Sequence, residues 1–261
     1  MADTPNSPEA NGSEREKAFL RYEEKGGYHW ALNSNHLLRG NAFVRARYAN
    51  ALELAERGVG TGGLGGKLVL DHGCGDGVLT AMLARRGARV LGLDNSEIAL
   101  RYALQRTGGQ RTAGQRTGGL DTHYQAGGVY DLPYRSEAFD CVVSTQVIEH
   151  IAEPGRLLGE IRRVLKTGGR AVITTRIRLT EKPIDPTHVH EWFEEEFRKV
   201  IAEVFPRAEY FRSHPASWME TSYRFKWVKV LANLLSVVRN PYAGFDSGYR
   251  LHVIQYALAT K

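Results

Sequence analysis

Leu68-Val-Leu-Asp-His-Gly-Cys-Gly-Asp-Gly-Val-Leu-Thr80 is the stretch whose reading decides the fold. An apolar strand runs into three alternate glycines, Gly73, Gly75 and Gly77, and a helix begins near Val78. Glycine has no Cβ, so the turn can take positive φ and the backbone can approach a ligand closely. The helix that follows points its free N–H groups at the same place. A dinucleotide fingerprint would carry its third glycine at position 78, where this chain has Val78. Asp71, at the strand end, would repel a pyrophosphate and suits the cationic amino-acid part of a ligand.

Working outward, strand and helix alternate along most of the chain, which demands a mostly parallel sheet covered on both faces. Seven strands are expected, over Leu68–Asp71, Val90–Asp94, Thr122–Gln125, Cys141–Ser144, Ala171–Thr175, Ala208–Arg212 and Leu251–Leu258. The fold class is therefore α/β, doubly wound. Asp94 ends the second strand 21 positions beyond Gly73, where an acid hydrogen-bonds both hydroxyls of a ribose. Ahead of the first strand, apolar spacing from Ala18 to Arg57 predicts a helical cap of two or three helices.

The remaining composition bounds the partners and the compartment. Of 261 residues, 42% are hydrophobic, which suffices for one substantial core. A net charge of +6 favours an anionic partner, but the basic residues are spread rather than massed, so nucleic acid ranks below a small-molecule acceptor. Cys74 and Cys141 are the only cysteines and show no metal or disulfide spacing, which points to a reducing cytoplasm. Residues 1–17 have the composition of a disordered tail with no signal peptide, and residues 18–261 read as one domain without a membrane-spanning run. Within it, residues 105–119 repeat QRTGG, QRTAG, QRTGG and are expected as a low-complexity loop.

Asp71 to Gly77, Gly92-Leu-Asp94, Asp131-Leu-Pro-Tyr134, Phe139-Asp140, Ile148-Glu-His150 and Lys166-Thr-Gly-Gly169 together resemble the successive motifs of class I S-adenosylmethionine-dependent methyltransferases. The resemblance covers about residues 67 to 212. It implies a Rossmann-like sheet with an antiparallel last strand and S-adenosyl-L-methionine as cofactor. It also implies that Asp71, Gly73, Cys74, Gly75 and Gly77 hold the methionine end, Asp94 and Asn95 the ribose, and Gly128 and Val129 the adenine, with Gln146 completing the cofactor set. Many members of the family carry Asp where this chain has Gly128, so the adenine amino group is left to backbone carbonyls or to Asp131.

Methyl transfer from a sulfonium is an in-line displacement, and a hydroxyl acceptor must lose its proton. The groups for that task follow the fourth and fifth strands: Gln146, Glu149 and His150, then His188, His190 and Glu191. Glu149, His150 and His188 could supply one carboxylate and two imidazoles to a divalent cation. This resembles the Glu-x-x-Glu-His element of the ubiquinone-pathway O-methyltransferases and of the small-RNA 3′-terminal ribose methyltransferases. The latter also have a His-x-x-Glu-Trp element, to which His188-Val-His-Glu-Trp192 is similar. Gln146 replaces the first acid of that element and is a poor metal ligand. His188 as a metal-free base, and a structural role for all three, stay open.

Two flanks complete the expectations. Tyr28, His29 and Trp30 form either a lid that excludes water or a cluster that pins the cap. Residues 217–249 form a helical insertion before the last strand, carrying Trp218, Tyr223, Trp227, Leu231 and Leu234 among Arg224, Lys226, Lys229 and Arg239. It suits a peripheral membrane or lipid contact, or a homodimer interface. The functional expectation is O-methylation of a small molecule such as a sugar, glycolipid, quinone or specialised metabolite. The alternatives are ribose 2′-O-methylation of RNA and a non-catalytic cofactor-binding module.

Overall fold

The computed structural model of the protein describes residues 21–108, 120–181, 185, 187–246 and 248–261. The predicted tail over residues 1–17, and residues 109–119 of the repeat, lie outside the described residues. The cap comprises α1 (Arg21–Lys25), α2 (Tyr28–Leu32) and α3 (Ala42–Gly58). The sheet and its helices follow as β1 (Leu68–His72), α4 (Val78–Arg85), β2 (Arg89–Asp94), α5 (Glu97–Thr107), β3 (Thr122–Ala126) and β4 (Phe139–Thr145). Next come α6 (Pro154–Val164), β5 (Leu165–Arg176), α7 (Glu194–Val204), β6 (Arg207–Pro215), α8 (Ala216–Arg224), α9 (Lys226–Leu235) and β7 (His252–Thr260).

The seven strands form one sheet in the order β3-β2-β1-β4-β5-β7-β6. β1 to β5 pair in parallel, and β7 runs antiparallel to both β5 and β6. The central strands are apolar through their middles because successive side chains enter opposite cores. Val69, Val143 and Val172 face α3 and α4, meeting Tyr48, Leu52, Leu79 and Leu83. Leu70, Val142 and Ile173 face α6 and α7, meeting Leu157, Ile161, Phe197 and Ile201. Each such large side chain, fully buried, contributes on the order of 1.5–3 kcal/mol.

Most strand ends fall within two residues of the sequence expectation, and three boundaries differ by more. β5 begins at Leu165 rather than Ala171, because Leu165 pairs with Phe139 ahead of an irregularity in the β4–β5 ladder. β6 extends to Pro215, carried by the β7 ladder that pairs Pro215 with His252. The start of the repeat is helical rather than loop. α5 runs through Thr107, whose hydroxyl donates to the Ala103 carbonyl, and stops where Gly108 turns left-handed at φ 64°.

Candidate functional site

β1 sends its neighbours in opposite directions, with β2 and β3 on one side and β4 and β5 on the other. At such a switch point the carboxyl ends of the strands leave a crevice. A cavity of about 820 Å³ opens there, bounded by the ends of β1, β2, β4 and β5 and roofed by α1, α2 and α3.

On its β1–β2 side the glycine turn forms the floor. The N–H groups of Gly73 and Cys74 donate to the Leu93 carbonyl at 2.8 and 3.0 Å, which folds the turn across the top of β2. A Cβ on Gly73, at φ 72°, would lie 2.3 Å from Val147 Cγ2, and one on Gly75, at φ 53°, would lie 2.3 Å from the Tyr22 hydroxyl. Both glycines are therefore required by space as well as by backbone conformation. Asp71 is buried, and its Oδ2 accepts from the Thr80 hydroxyl at 2.6 Å. Its Oδ1 has no hydrogen-bond partner among the described residues. Burial pushes its carboxyl up to about 7, so a cation placed at Oδ1 would be strongly favoured. Asp94 uses Oδ2 to accept from Gly75 N at 2.8 Å and Oδ1 to accept from Ser96 N at 2.9 Å. Each oxygen keeps a lone pair for a diol. A glycine cradle, an orphaned acid and a braced acid fit an amino-acid nucleoside such as S-adenosylmethionine.

Asn95, Gly128 and Val129 also line this half of the cavity, while Gly77 does not. Gly77 packs outward instead: a Cβ there would meet the Tyr124 hydroxyl at 2.7 Å and Ala103 Cβ at 2.8 Å. Its lack of a Cβ lets α5 and β3 close against the turn. Asp131, offered as an adenine partner, is held by Arg156 Nη2 at 2.6 Å on the exposed rim, and that guanidinium lies over the Tyr130 ring.

The cap is stitched to the turn by Asp76. This buried carboxylate accepts from His29 N at 2.9 Å and faces His29 Nδ1 at 3.3 Å, while the Asp76 carbonyl accepts from Trp30 Nε1 at 2.6 Å. Tyr22, Tyr28 and His29 line the cavity, and Trp30 packs on the core beneath. The aromatic segment is thus both roof and pin.

The opposite half holds the predicted acid and imidazoles. After β4, Gln146 takes φ 56° and donates its N–H to the Thr174 carbonyl at 3.0 Å, which turns the chain into a short 3₁₀ helix, Ile148–His150. The Glu149 carbonyl accepts from Val189 N at 2.8 Å and His190 N at 3.0 Å. Those two bonds bring the segment after β5 onto the one after β4. The result is that one ligating atom each from Glu149, His150 and His188 lie within 4.8 Å of one another. Both carboxylate oxygens of Glu149 are buried without a hydrogen-bond partner among the described residues, and burial pushes its pKa up. His188 Nδ1 lies 3.0 Å from Glu191 Oε1, and His150 Nδ1 lies 3.1 Å from the Thr187 carbonyl. His190 stacks near Trp192 and does not line the cavity.

Tyr22, Arg47, His72 and Arg176 also line the cavity and escaped the sequence reading. His72 closes β1, and burial lowers its pKa to about 4, so it is neutral. Arg47 lies one turn beyond Phe43 on α3; periodicity marks that helix as amphipathic but not which charged residue turns inward.

The insertion packs on the start of α3. Asn233 of α9 accepts from Ala42 N at 2.8 Å and donates to the carbonyls of Gly40 and Leu37. Val228 and Ala232 face inward, whereas Trp227, Leu231, Leu234 and Leu235 are exposed along the other face. The side chains of Tyr223, Arg224 and Lys226 lie outside the described residues. No helix among the described residues is long and apolar enough to cross a membrane.

Residues 70–173 match the family model described as a methyltransferase domain. A ubiquinone biosynthesis O-methyltransferase of Coxiella burnetii is 32% identical over 112 residues, 43% of this chain and 44% of that protein. A demethylmenaquinone methyltransferase of Thermobifida fusca is 34% identical over 120 residues, 46% of this chain and 48% of that protein. The chain thus spans about half the length of these curated relatives. Among solved structures, phosphoethanolamine N-methyltransferase 2 of Haemonchus contortus, in complex with S-adenosyl-L-methionine, shares the fold. Its TM-score is 0.65 at 19% identity, over 98% of this chain and 61% of that one.

Proposed function

We propose that this chain, a member of the class I S-adenosylmethionine-dependent methyltransferases, methylates a hydroxyl group of a small molecule. The observation that carries the hydroxyl is the imidazole of His188. Its Nδ1 is engaged by the nearly buried Glu191 at 3.0 Å, and its Nε2, 3.8 Å from Asp185 Oδ2, is the nitrogen that remains to take a proton. The names of the ubiquinone-pathway relatives support oxygen as the atom methylated.

When bound, the sulfonium cofactor supplies an electrophilic methyl and leaves with the electron pair of the broken carbon–sulfur bond. Asp71 would hold the ammonium of its amino-acid end, Gly73 to Gly75 its backbone approach, and Asp94 with Asn95 its ribose. Gly128 and Val129 flank the adenine side, and Gln146 separates the two halves. In the acceptor half, His188 takes the hydroxyl proton on Nε2, and Glu191 stabilises the imidazolium so formed. Glu149 offers two free oxygens to orient the hydroxyl. The roof of Tyr22, Tyr28 and His29 keeps water from competing.

A second reading of the same residues is a divalent cation held by Glu149, His150 and His188. It is favoured by the way both imidazoles direct Nδ1 at an oxygen, the arrangement that orients metal-bound histidines. The deciding experiment uses isotopically labelled methyl donor with a metabolite extract. Under the base reading, label transfer survives chelator and falls about 100-fold or more in His188→Ala. Loss of transfer with chelator and recovery with a divalent cation would establish the second reading instead. No transfer under any condition, with cofactor still bound, would leave a binding module. The exposed face of α9 we assign to a lipid–water boundary, tested below.

A further inference from the structure

The acceptor half of the cavity carries a charge pattern that the methyl-transfer chemistry does not use. Arg47, from α3, and Arg176, from the end of β5, both line it. Neither has a carboxylate within ion-pair distance among the described residues. Among the described residues, Arg47 Nη1 lies 3.5 Å from Gln146 Oε1, the guanidinium sits by the Tyr48 ring, and its Nε is buried with no hydrogen-bond partner. Among the described residues, the partner of Arg176 Nη2 is the Met219 sulfur at 4.0 Å. Both residues line the one cavity. Phe43 lies one turn before Arg47 on α3, and Phe43 and Arg176 together wall a smaller cavity of about 210 Å³ that also contains Lys229.

A guanidinium without a counter-ion in a half-buried position costs free energy. Glu149, a buried acid of the same cavity, feels the Arg47 charge but directs neither oxygen at a guanidinium in a hydrogen bond. The remaining acids of the cavity are engaged elsewhere: Asp71 and Asp94 on the cofactor side, Asp131 with Arg156, and Asp185 with Thr187. Planar guanidiniums with free donors match the geometry of a carboxylate or a phosphate.

We propose that the acceptor carries an anionic oxygen group, a carboxylate or a phosphate, bound by Arg47 and Arg176. Its hydroxyl then faces His188 and Glu149. This rests on the methyltransferase reading, because it names the substrate of that same cavity. It places the anion on the α3 and β5 wall, across from the glycine turn, so neutral acceptors of equal size bind less well.

Calorimetry tests it with the full chain, first titrated with S-adenosylhomocysteine and then, at saturation, with benzoate and with inorganic phosphate. At least one anion is expected to bind, and Arg47→Gln and Arg176→Gln to weaken it about tenfold or more each, the loss of a charge-assisted hydrogen bond. S-adenosylhomocysteine affinity should stay unchanged in both variants. The tighter anion identifies carboxylate or phosphate as the recognised group. Should a variant not fold, phenylglyoxal labelling of the native protein replaces it, with the anion expected to protect Arg47 and Arg176 in peptide mass spectra. Binding of neither anion, equal binding in the variants, or absence of protection overturns the proposal. Failure to bind S-adenosylhomocysteine while the anions still bind would instead sink the methyltransferase reading alone.

Discussion

Single residues in this site are set apart by what their atoms lack. Asp71 has one oxygen on Thr80 and the other free, and burial raises its carboxyl to about 7. In the free protein it therefore binds a proton below that pH, and an ammonium ligand must displace the proton. Cofactor affinity is then fully present above about 7 and is lost as pH falls, by about tenfold per unit for one displaced proton. Titration of S-adenosylhomocysteine between pH 8 and about 5.5 should show that slope, and Asp71→Asn should flatten it. The glycines separate by the same logic. Gly75→Ala drives a Cβ against Tyr22 at φ 53°, within the cavity, and should weaken cofactor binding more than tenfold. Gly77→Ala drives a Cβ into Ala103 and Tyr124, behind the cavity, and should instead cost about 1–3 kcal/mol of stability in denaturant unfolding.

At the level of elements, the cap is the part whose attachment is narrow. α1 and α2 are five residues each, too short to be stable alone, and they are held to the sheet through Asp76. Removing that carboxylate with Asp76→Ala deletes the hydrogen bond from His29 N, worth about 1.5–3 kcal/mol. Hydrogen exchange over residues 21–32 should accelerate in this variant while the strands stay protected, and cofactor dissociation should quicken as the roof loosens. Equal protection in both proteins would mean that Trp30, through the Asp76 carbonyl, suffices to hold the cap. α9 shows the opposite economy. Its inner face is fixed by Asn233, and its outer face places Trp227, Leu231, Leu234 and Leu235 along one stripe.

For the whole molecule, α9 and the chain that follows it also carry exposed Lys229, Arg239 and Arg250, each worth about 1 kcal/mol near an anionic bilayer. Vesicles of phosphatidylglycerol should therefore sediment the protein, and Trp227→Ser with Leu234→Ser should abolish it. If vesicles are ignored while sedimentation velocity shows concentration-dependent association, the stripe is a contact between copies. Much of the architecture was legible beforehand. The alternation of apolar runs with glycine punctuation marked the central strands, because a strand buried on both faces is mainly apolar, whereas the edge strands β3 and β6 are mixed in composition and half-exposed. Gly73, Gly75, Asp71 and Asp94 stood out because close backbone approach and a paired acid leave fixed spacings in the chain. What the chain alone determined is this local chemistry and the winding order that follows from it. Tertiary structure decided the rest. It joined Glu149 to His188 through a backbone carbonyl, turned Gly77 away, and brought Arg47 of α3 and Arg176 of β5 to one cavity. Such meetings depend on how helices roll against the sheet, and the packing of both faces sets that roll without leaving any spacing to read.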